Sequence, residues 1–248
     1  MSVLILALVA GAVTGLALGA LGGGGSVLTV PALIYLLGFT PSAATTASLV
    51  IVTLTSVTAL SAHAREGTVR WRAGALFATA GLIPAALGGA LSGRLPPAVL
   101  TGAFSLIAGL AAWRMLRPAA GGAGAAPVGT GRITGTGAGL GAVTGVLGVG
   151  GGFLAVPALV NVVGLRMRAA VGTSLLVITA NSLAALVARA GTAQSLDWAV
   201  VAPFAGAAVL GAWDGKRLAA RVSGGTLQRI FAWALLAVAA LMLLDVVL

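Results

Sequence analysis

The chain has 248 residues, of which 59% are hydrophobic and only 7% are charged, and its mean hydropathy is +1.13. A soluble domain carries about 25% charged residues, so this composition excludes a soluble globular protein and indicates a protein of the membrane. The formal net charge of +10 does not indicate nucleic-acid binding, because the arginines are scattered singly between apolar runs, and the absence of cysteine excludes disulfides, Fe–S clusters and thiolate metal sites.

The first predicted element is a glycine-interrupted apolar stretch at residues 3–38. No basic segment precedes it, so we expect no cleaved signal peptide. As one helix, its roughly 36 residues would reach about 54 Å, too long for one crossing of a hydrocarbon core of about 30 Å. The stretch therefore either crosses once as a broken helix, or contains two short helices and returns to its starting side.

The elements that follow are apolar runs of helix length. Near-continuous hydrophobicity over about 18 or more residues predicts helices in lipid rather than strands. Residues 118–131, rich in Ala, Gly and Pro and without charge, are predicted to be a flexible linker. Before this linker the runs lie at residues 42–63, 73–92 and 98–117. After it come a second glycine-interrupted stretch at residues 133–164 and runs at residues 168–189, 198–218 and 226–244.

The chain repeats itself at an offset of 126 residues. Between Gly11 and Ala62, 23 of 52 positions are identical to those 126 residues later, without a gap. We therefore divide the chain into repeat 1 (residues 1–117), the linker (118–131) and repeat 2 (132–248), which together form one transmembrane domain.

The distribution of basic residues separates the two layouts of the glycine-interrupted stretches. With one crossing per stretch, the 14 basic residues divide about seven to each side, whereas with two short passes twelve share one face and only Arg94 and Arg189 lie opposite. Because cytoplasmic loops carry the excess of Lys and Arg, we predict the second layout, in the bacterial inner membrane, with both termini outside the cytoplasm. Each copy then contains an odd number of membrane passes, so repeat 2 is inverted relative to repeat 1, as in many secondary transporters.

The predicted fold is therefore an all-α polytopic membrane protein with two inverted repeats. Each repeat has a glycine-broken pair of short helices, re-entrant or spanning, followed by three spanning helices. The broken helices are expected to begin near Ser26 and Gly152, where the helix dipole would favour an anion. Inverted symmetry would bring the two breaks together near the midplane, and Pro31 and Pro157 are expected to kink the short helices.

The contiguous glycines of the two breaks are the candidate ligand site, because glycine unwinds a helix easily and lets backbone approach a ligand. A close-packing role is the alternative, and we prefer it for the glycines spaced by four. The candidate site residues are Gly22, Gly23, Gly24, Gly25, Ser26, Gly148, Gly150, Gly151 and Gly152. The candidate packing residues are Gly11, Gly15 and Gly19 with their partners Gly137, Gly141 and Gly145.

These residues resemble a known family. The pattern G-x-G-G-[GS]-x-x-x-V-P-x-L, at residues 22–33 and again at 148–159, is similar to that of the TauE/SafE sulfite exporters, and the Gly-Thr-Ser-Leu segment at 172–175 also fits. The resemblance implies a plasma-membrane permease for sulfite, thiosulfate, organosulfonates or similar anions. The expected function is secondary transport by alternating access around a central glycine-lined site. A passive anion channel and a non-transporting scaffold remain alternatives, and a homodimer is left open.

Polar side chains on the later helices extend the candidate site to Thr46, Ser48, Thr173, Ser174 and Asn181. The hydroxyls either coordinate a sulfur oxyanion or cap and bridge helices, and an amide in mid-helix needs a partner in lipid.

Arg65 and Arg189 match each other across the repeats, at opposite ends by inversion, and either draw anions towards each mouth or snorkel to the interface. His63 is interpreted as an interfacial histidine rather than a proton carrier.

Acidic residues are too few and too peripheral for cation transport. The four are Glu66, Asp197, Asp214 and Asp245, and none lies in the middle of a predicted span. Cation pumps usually place carboxylates there. No catalytic triad, metal-ligand set or nucleotide loop is found, so we expect no enzyme activity, cofactor or metal, only a small sulfur anion and the lipid bilayer as partners.

Overall fold

The computed structural model describes residues 2–92, 97–117, 129–147, 152–189 and 196–247. Within these ranges the chain forms helices and no strand, which confirms the predicted all-α membrane fold. The helices are α1 (Ser2–Leu21), α2 (Gly24–Pro31, continued by the π-helix Ala32–Leu36), α3 (Pro41–Arg65), α4 (Trp71–Ser92), α5 (Pro97–Leu116), α6 (Thr130–Leu147), α7 (Gly152–Asn161), α8 (Met167–Arg189), α9 (Trp198–Ala220) and α10 (Gly224–Val247).

Several of these helices suit a bilayer in both length and surface. Among the described residues, α1, α3, α8, α9 and α10 contain segments long and apolar enough to cross a membrane. Large apolar side chains such as Leu106, Leu210 and Ile83 stand more than 70% exposed. Exposure of this kind suits contact with lipid tails. The chain is a multi-pass membrane protein.

The glycine-interrupted stretches differ from the predicted pairs of short helices. Only the second member of each pair is short, because α1 has 20 residues and α6 has 18, whereas α2 has 8 and α7 has 10. The four-spaced glycines do not interrupt α1, and its break falls at Gly22. In addition, α6 begins at Thr130, inside the predicted linker, of which residues 118–128 lie outside the described ranges.

The prolines at equivalent positions of the two copies affect their helices differently. At Pro31 the α-helix gives way to a π-helix, a change that accommodates a residue without an N–H donor. Pro157 lies inside α7, which continues as α-helix to Asn161. The predicted distortion is therefore visible as a change of helix type at Pro31 only.

The short helices end in the same way in both copies. Gly38 and Gly164 take left-handed φ values of +70° and +76°. The next N–H in each copy, of Phe39 or Leu165, donates to the carbonyl six residues earlier, at 3.0 and 2.8 Å. A left-handed residue at the end of a helix is usually glycine, so the repeat in sequence is also a repeat in local structure.

The four-spaced glycines lie at close contacts between helix backbones. Along α1, Gly11, Gly15 and Gly19 press against the backbone of Phe204, Ala208 and Ala212 of α9, leaving no space for a Cβ. The rising numbers on both helices mean that α1 and α9 run parallel. In the other copy, Gly137 and Gly141 of α6 meet Phe77 and Gly81 of α4 in the same manner. The predicted packing role is confirmed for these five glycines, whereas the surroundings of Gly145 lie outside the described residues.

The remaining helix pairs join equivalent elements of the two copies. On α3 and α8, Thr179 Oγ1 donates to Ser56 Oγ at 3.0 Å, and the N–H of Arg70, beyond the end of α3, donates to Thr173 Oγ1 at 3.0 Å. On α5 and α10, Gln228 Nε2 donates to the Met115 carbonyl at 2.8 Å. Both pairs are therefore antiparallel. Exchanging the two copies maps α1–α9 onto α4–α6 and α3–α9 onto α4–α8, and it leaves α3–α8 and α5–α10 unchanged.

The Thr179–Ser56 bond allows a measurement of how firmly α3 and α8 are joined. We expect Thr179→Val to lower the free energy of unfolding by about 0.6 kcal/mol, the typical strength of a hydrogen bond between membrane helices. The matched control is Thr53→Val, since the Thr53 hydroxyl donates to Leu49 O in its own helix. Unfolding in detergent would show the difference, and equal stability of the two variants would contradict the prediction.

Candidate functional site

The first glycine break lies against the beginning of α8. Gly22 has φ +68°, in the left-handed region that glycine tolerates. A Cβ at Gly22 would lie 2.6 Å from Ser174 Oγ and 3.2 Å from the Val171 carbonyl oxygen. The structure therefore brings together Gly22 and Ser174, two residues of the predicted site, and only glycine fits between the backbone and that hydroxyl.

The break does not lie at the midplane. Ser174 is seven residues from the first residue of α8, or roughly 10 Å along a helix whose 23 residues span about 34 Å. The break is thus about a third of the way through the bundle, because α1 runs along α9 for its whole length before Gly22. The expected meeting of both breaks at the midplane is not what this half of the molecule shows.

The helix after the break presents its N-terminus to one end of the bundle. Gly23 is the N-cap of α2, which begins at Gly24 rather than near Ser26, and Gly25 follows in its first turn. From there α2 runs away from the end at which α8 begins, so the positive end of its dipole faces that end. The side chain of Ser26 lies outside the described residues.

Most hydroxyl groups of the predicted site form hydrogen bonds with the backbone. Ser48 and Ser174, equivalent in the two copies, both donate at 2.8 Å to the carbonyl three residues earlier, of Thr45 or Val171. Thr173 is fully buried and its oxygen accepts the N–H of Arg70. Thr46 is partly buried near the beginning of α3. Thr173 therefore docks the α3–α4 turn onto α8, and Ser174 remains the hydroxyl closest to the break.

Asn181 carries an unsatisfied polar atom in the middle of the bundle. In the described part of the chain its Oδ1 is the one buried side-chain oxygen or nitrogen without a hydrogen-bond partner. Asn181 lies two turns beyond Ser174 on α8, where repeat 1 has Thr55. An amide offers N–H donors and a carbonyl acceptor, so Asn181 can contact a polar ligand that passes along this helix.

The second break lies largely outside the described residues. This applies to Gly148, Gly150 and Gly151, whereas Gly152 begins α7 as predicted. Arg189 ends α8, and its side chain also lies outside the description.

The end of α3 carries two residues that the sequence singled out. Arg65 is exposed at the helix end, at the opposite end of the bundle from Arg189, as the antiparallel course of α3 and α8 requires. His63 is buried, at 6% exposure, with Nε2 3.4 Å from the Gly19 carbonyl and Nδ1 3.2 Å from Thr68 Oγ1. The turn after α3 covers His63, which the sequence cannot show.

A charged cleft opens beside His63, and sequence reasoning missed it. It is open to solvent on one side, and Glu66, Arg168 and Lys216 line it. Lys216 Nζ lies 2.8 Å from Glu66 Oε1 and donates to the Ala62 carbonyl at 2.7 Å. The available clue was the match between Gly215-Lys216 and Gly93-Arg94 in the repeat, which places a cation at equivalent positions.

Comparison with known proteins gives a consistent result. A family model described as sulfite exporter TauE/SafE matches residues 7–242. Two proteins of Xylella fastidiosa, from strains Temecula1 and 9a5c, are both named probable membrane transporter protein and are 33% and 34% identical to this chain. Each alignment covers 95% of this chain and 93% of the relative.

Proposed function

This chain belongs to the sulfite exporter TauE/SafE family of membrane transporters, and on that premise we propose that it is a secondary transporter of small anions. Sulfite and related sulfur oxyanions or organosulfonates are the first candidate substrates. The alternatives are a passive anion channel with the same fold and a non-transporting scaffold. We propose no enzymatic activity.

The observation that carries the proposal is the contact of the glycine break with Ser174. There a left-handed glycine lies against a buried hydroxyl, and the Gly22 N–H and the Ser174 hydroxyl donate to the Leu18 and Val171 carbonyls, so an anion would bind by taking over these donors. The α2 N-terminus beside it adds a positive potential. N–H and O–H groups beside a positive potential suit an anion better than a cation, because an oxyanion accepts hydrogen bonds from such groups.

Alternating access is supported by the course of the helices. Equivalent helices α3 and α8 run antiparallel, as do α5 and α10. Two copies related by a two-fold axis along the membrane normal would make such pairs parallel, whereas an axis in the membrane plane makes them antiparallel. We therefore propose inverted repeats at residues 1–117 and 132–248, rocking about the α3–α8 contact.

The orientation we propose follows from charge. By the helix directions above, the end of α3 and the beginning of α8 lie at the same end of the bundle as the end of α9. This end carries the basic residues that the sequence groups on one face: Arg65, Arg70, Arg72, Arg114, Arg117, Arg132, Arg166, Arg168, Lys216, Arg217, Arg221 and Arg229. The positive-inside rule assigns such an end to the cytoplasm, with both termini opposite, in the bacterial inner membrane.

Counter-exchange in vesicles tests the function. With purified protein in vesicles preloaded with thiosulfate, we expect uptake of labelled thiosulfate several times faster than into unloaded vesicles. Acceleration by substrate on the far side requires an alternating site. Equal rates would indicate a channel, and no flux of sulfite, thiosulfate, sulfoacetate or taurine would overturn the proposed substrate class.

Asn181 provides a test that separates transport from stability. We expect Asn181→Leu to leave the free energy of unfolding unchanged or raise it by about 1 kcal/mol, because a buried oxygen without a partner is removed. We expect thiosulfate exchange to fall by at least about tenfold, the effect of losing about 1.4 kcal/mol of substrate contact. The matched control is Asn161→Leu, at the exposed end of α7. Undiminished exchange in Asn181→Leu would remove Asn181 from the substrate path.

A further inference from the structure

The charged cleft joins the two copies at the end of the bundle that carries the basic residues. Its walls come from the turn after α3, the beginning of α8 and the last turns of α9. Lys216, on α9, reaches across the cleft to the Ala62 carbonyl and to the Glu66 carboxylate of the other copy. One ammonium group therefore ties repeat 2 to repeat 1 at this mouth.

The two members of this ion pair differ in how firmly they are held. The Lys216 side chain is 16% exposed and is also anchored by the Ala62 carbonyl, whereas that of Glu66 is 49% exposed on a turn. A half-exposed carboxylate on a turn gains little from such a pair, since water competes for it. The ammonium is thus a fixed part of the cleft, and the carboxylate is an exchangeable occupant.

A second cation stands in the same cleft. Arg168, near the beginning of α8, donates through Nη2 to the carbonyls of Ala220 and Val222 at 3.0 and 3.2 Å. These two bonds hold the guanidinium at the end of α9, which brings two cations and one carboxylate to one cavity. If the carboxylate moved away, the site would suit a small doubly charged oxyanion.

The floor of the cleft leads to the glycine break. Ala20 and Val171 line it, and Val171 is the residue whose carbonyl lies 3.2 Å from the Cβ position of Gly22. Ser174 donates to that same carbonyl. An anion in the cleft would therefore be one residue layer from the break, on the side faced by the N-terminus of α2.

The arrangement is specific to one mouth. Glu66 aligns with Ala190 in the other copy, whereas Lys216 aligns with Arg94. A cation is therefore encoded at both equivalent positions, but only repeat 1 encodes a carboxylate at the position of Glu66. The Glu66 carboxylate therefore has no counterpart in repeat 2.

We propose that the cleft is an outer binding site for a small divalent oxyanion, in which Lys216 captures the anion and Glu66 is a built-in competitor. The Glu66 carboxylate occupies the oxyanion position when the site is empty, and the incoming anion displaces it. This inference rests on the proposed function for the choice of anion, but it is a statement about binding and can be measured without transport.

The test is thiosulfate binding to the detergent-solubilised full chain, by calorimetry at constant ionic strength. We expect Glu66→Gln to tighten the apparent Kd by about threefold, as follows if the competitor occupies Lys216 about two-thirds of the time, in line with the weak pairing of a half-exposed carboxylate. Lys216→Gln should weaken binding at least as much, and the double variant should resemble Lys216→Gln. Lys216→Arg keeps the positive charge and should bind thiosulfate. It therefore shows whether the weaker binding of Lys216→Gln comes from the lost charge or from a folding defect.

The matched control is Asp214→Asn. It adds the same unit of positive charge to the same end of α9, but Asp214 pairs with Arg217 at an exposed position, 3.6 Å apart. Its Kd should equal that of the unmodified protein. Equal tightening by Asp214→Asn and Glu66→Gln, or no tightening by Glu66→Gln, would overturn the proposal, as would absence of thiosulfate binding in every variant.

The outcomes also separate this inference from the proposed function. Tightening by Glu66→Gln together with loss by Lys216→Gln, in a protein that carries no anion across vesicles, would leave the outer site standing and remove the transport proposal. Thiosulfate exchange in vesicles with unchanged binding by Glu66→Gln would do the reverse.

Discussion

Replacing Gly15 by alanine is expected to lower the free energy of unfolding by about 3 kcal/mol, at the upper end of the usual cost of overpacking. The added Cβ would overlap the Ala208 backbone carbonyl, which cannot turn aside as a side chain can. The helices α1 and α9 would have to separate along their whole contact, since Gly11 and Gly19 touch the same partner helix. Thermal or denaturant unfolding in detergent measures the loss.

Gly109 supplies the matched control for this prediction. It lies inside α5, and a Cβ there would meet nothing within 4 Å. Gly109→Ala should therefore leave stability unchanged or raise it by up to about 1 kcal/mol, because alanine favours a helix over glycine. A loss at Gly15 no larger than that at Gly109 would mean that α1 and α9 are not held together by this glycine surface.

Replacing Gly22 by alanine is expected to reduce thiosulfate exchange by more than about tenfold, a loss of more than about 1.4 kcal/mol. Two effects combine at this position. The left-handed backbone costs an alanine about 1–2 kcal/mol, and the new Cβ would lie 2.6 Å from Ser174 Oγ. The break would have to shift away from α8, so the donors at the proposed binding site would no longer converge. Exchange in vesicles and unfolding in detergent are measured together.

A substitution at Gly38 distinguishes the effect of backbone strain from the effect of the contact between Gly22 and Ser174. Its φ of +70° matches that of Gly22, but a Cβ there would meet nothing within 4 Å. Gly38→Ala should lose similar conformational energy and keep its exchange activity. Adding Ser174→Ala to Gly22→Ala should recover part of the stability, because the overlapping hydroxyl is removed. If Gly22→Ala and Gly38→Ala transported equally well, the break would not lie on the substrate path.

Much of the candidate site can be predicted from the sequence, because it depends on the backbone conformation that glycine allows. A run of glycines interrupts a helix wherever it occurs, so Gly22 could be named without knowing its neighbours. The role of Ser174 was open between ligand contact and capping, and the structure shows its bond to Val171 together with its contact at Gly22. The cleft was missed because Lys216 and Glu66 are 150 residues apart, and charges at helix ends are usual in any membrane protein.

The membrane class, the duplicated plan and the helices can be predicted from the sequence, because long apolar runs in lipid must satisfy their own backbone hydrogen bonds. The sequence also identifies Gly11, Gly15 and Gly19 as a packing surface, since four-residue spacing aligns small residues on one face of a helix. The helix that this surface meets, the depth of the break and the burial of His63 become known from the fold. These features depend on contacts between segments distant in the chain, whose partners and distances no local pattern encodes.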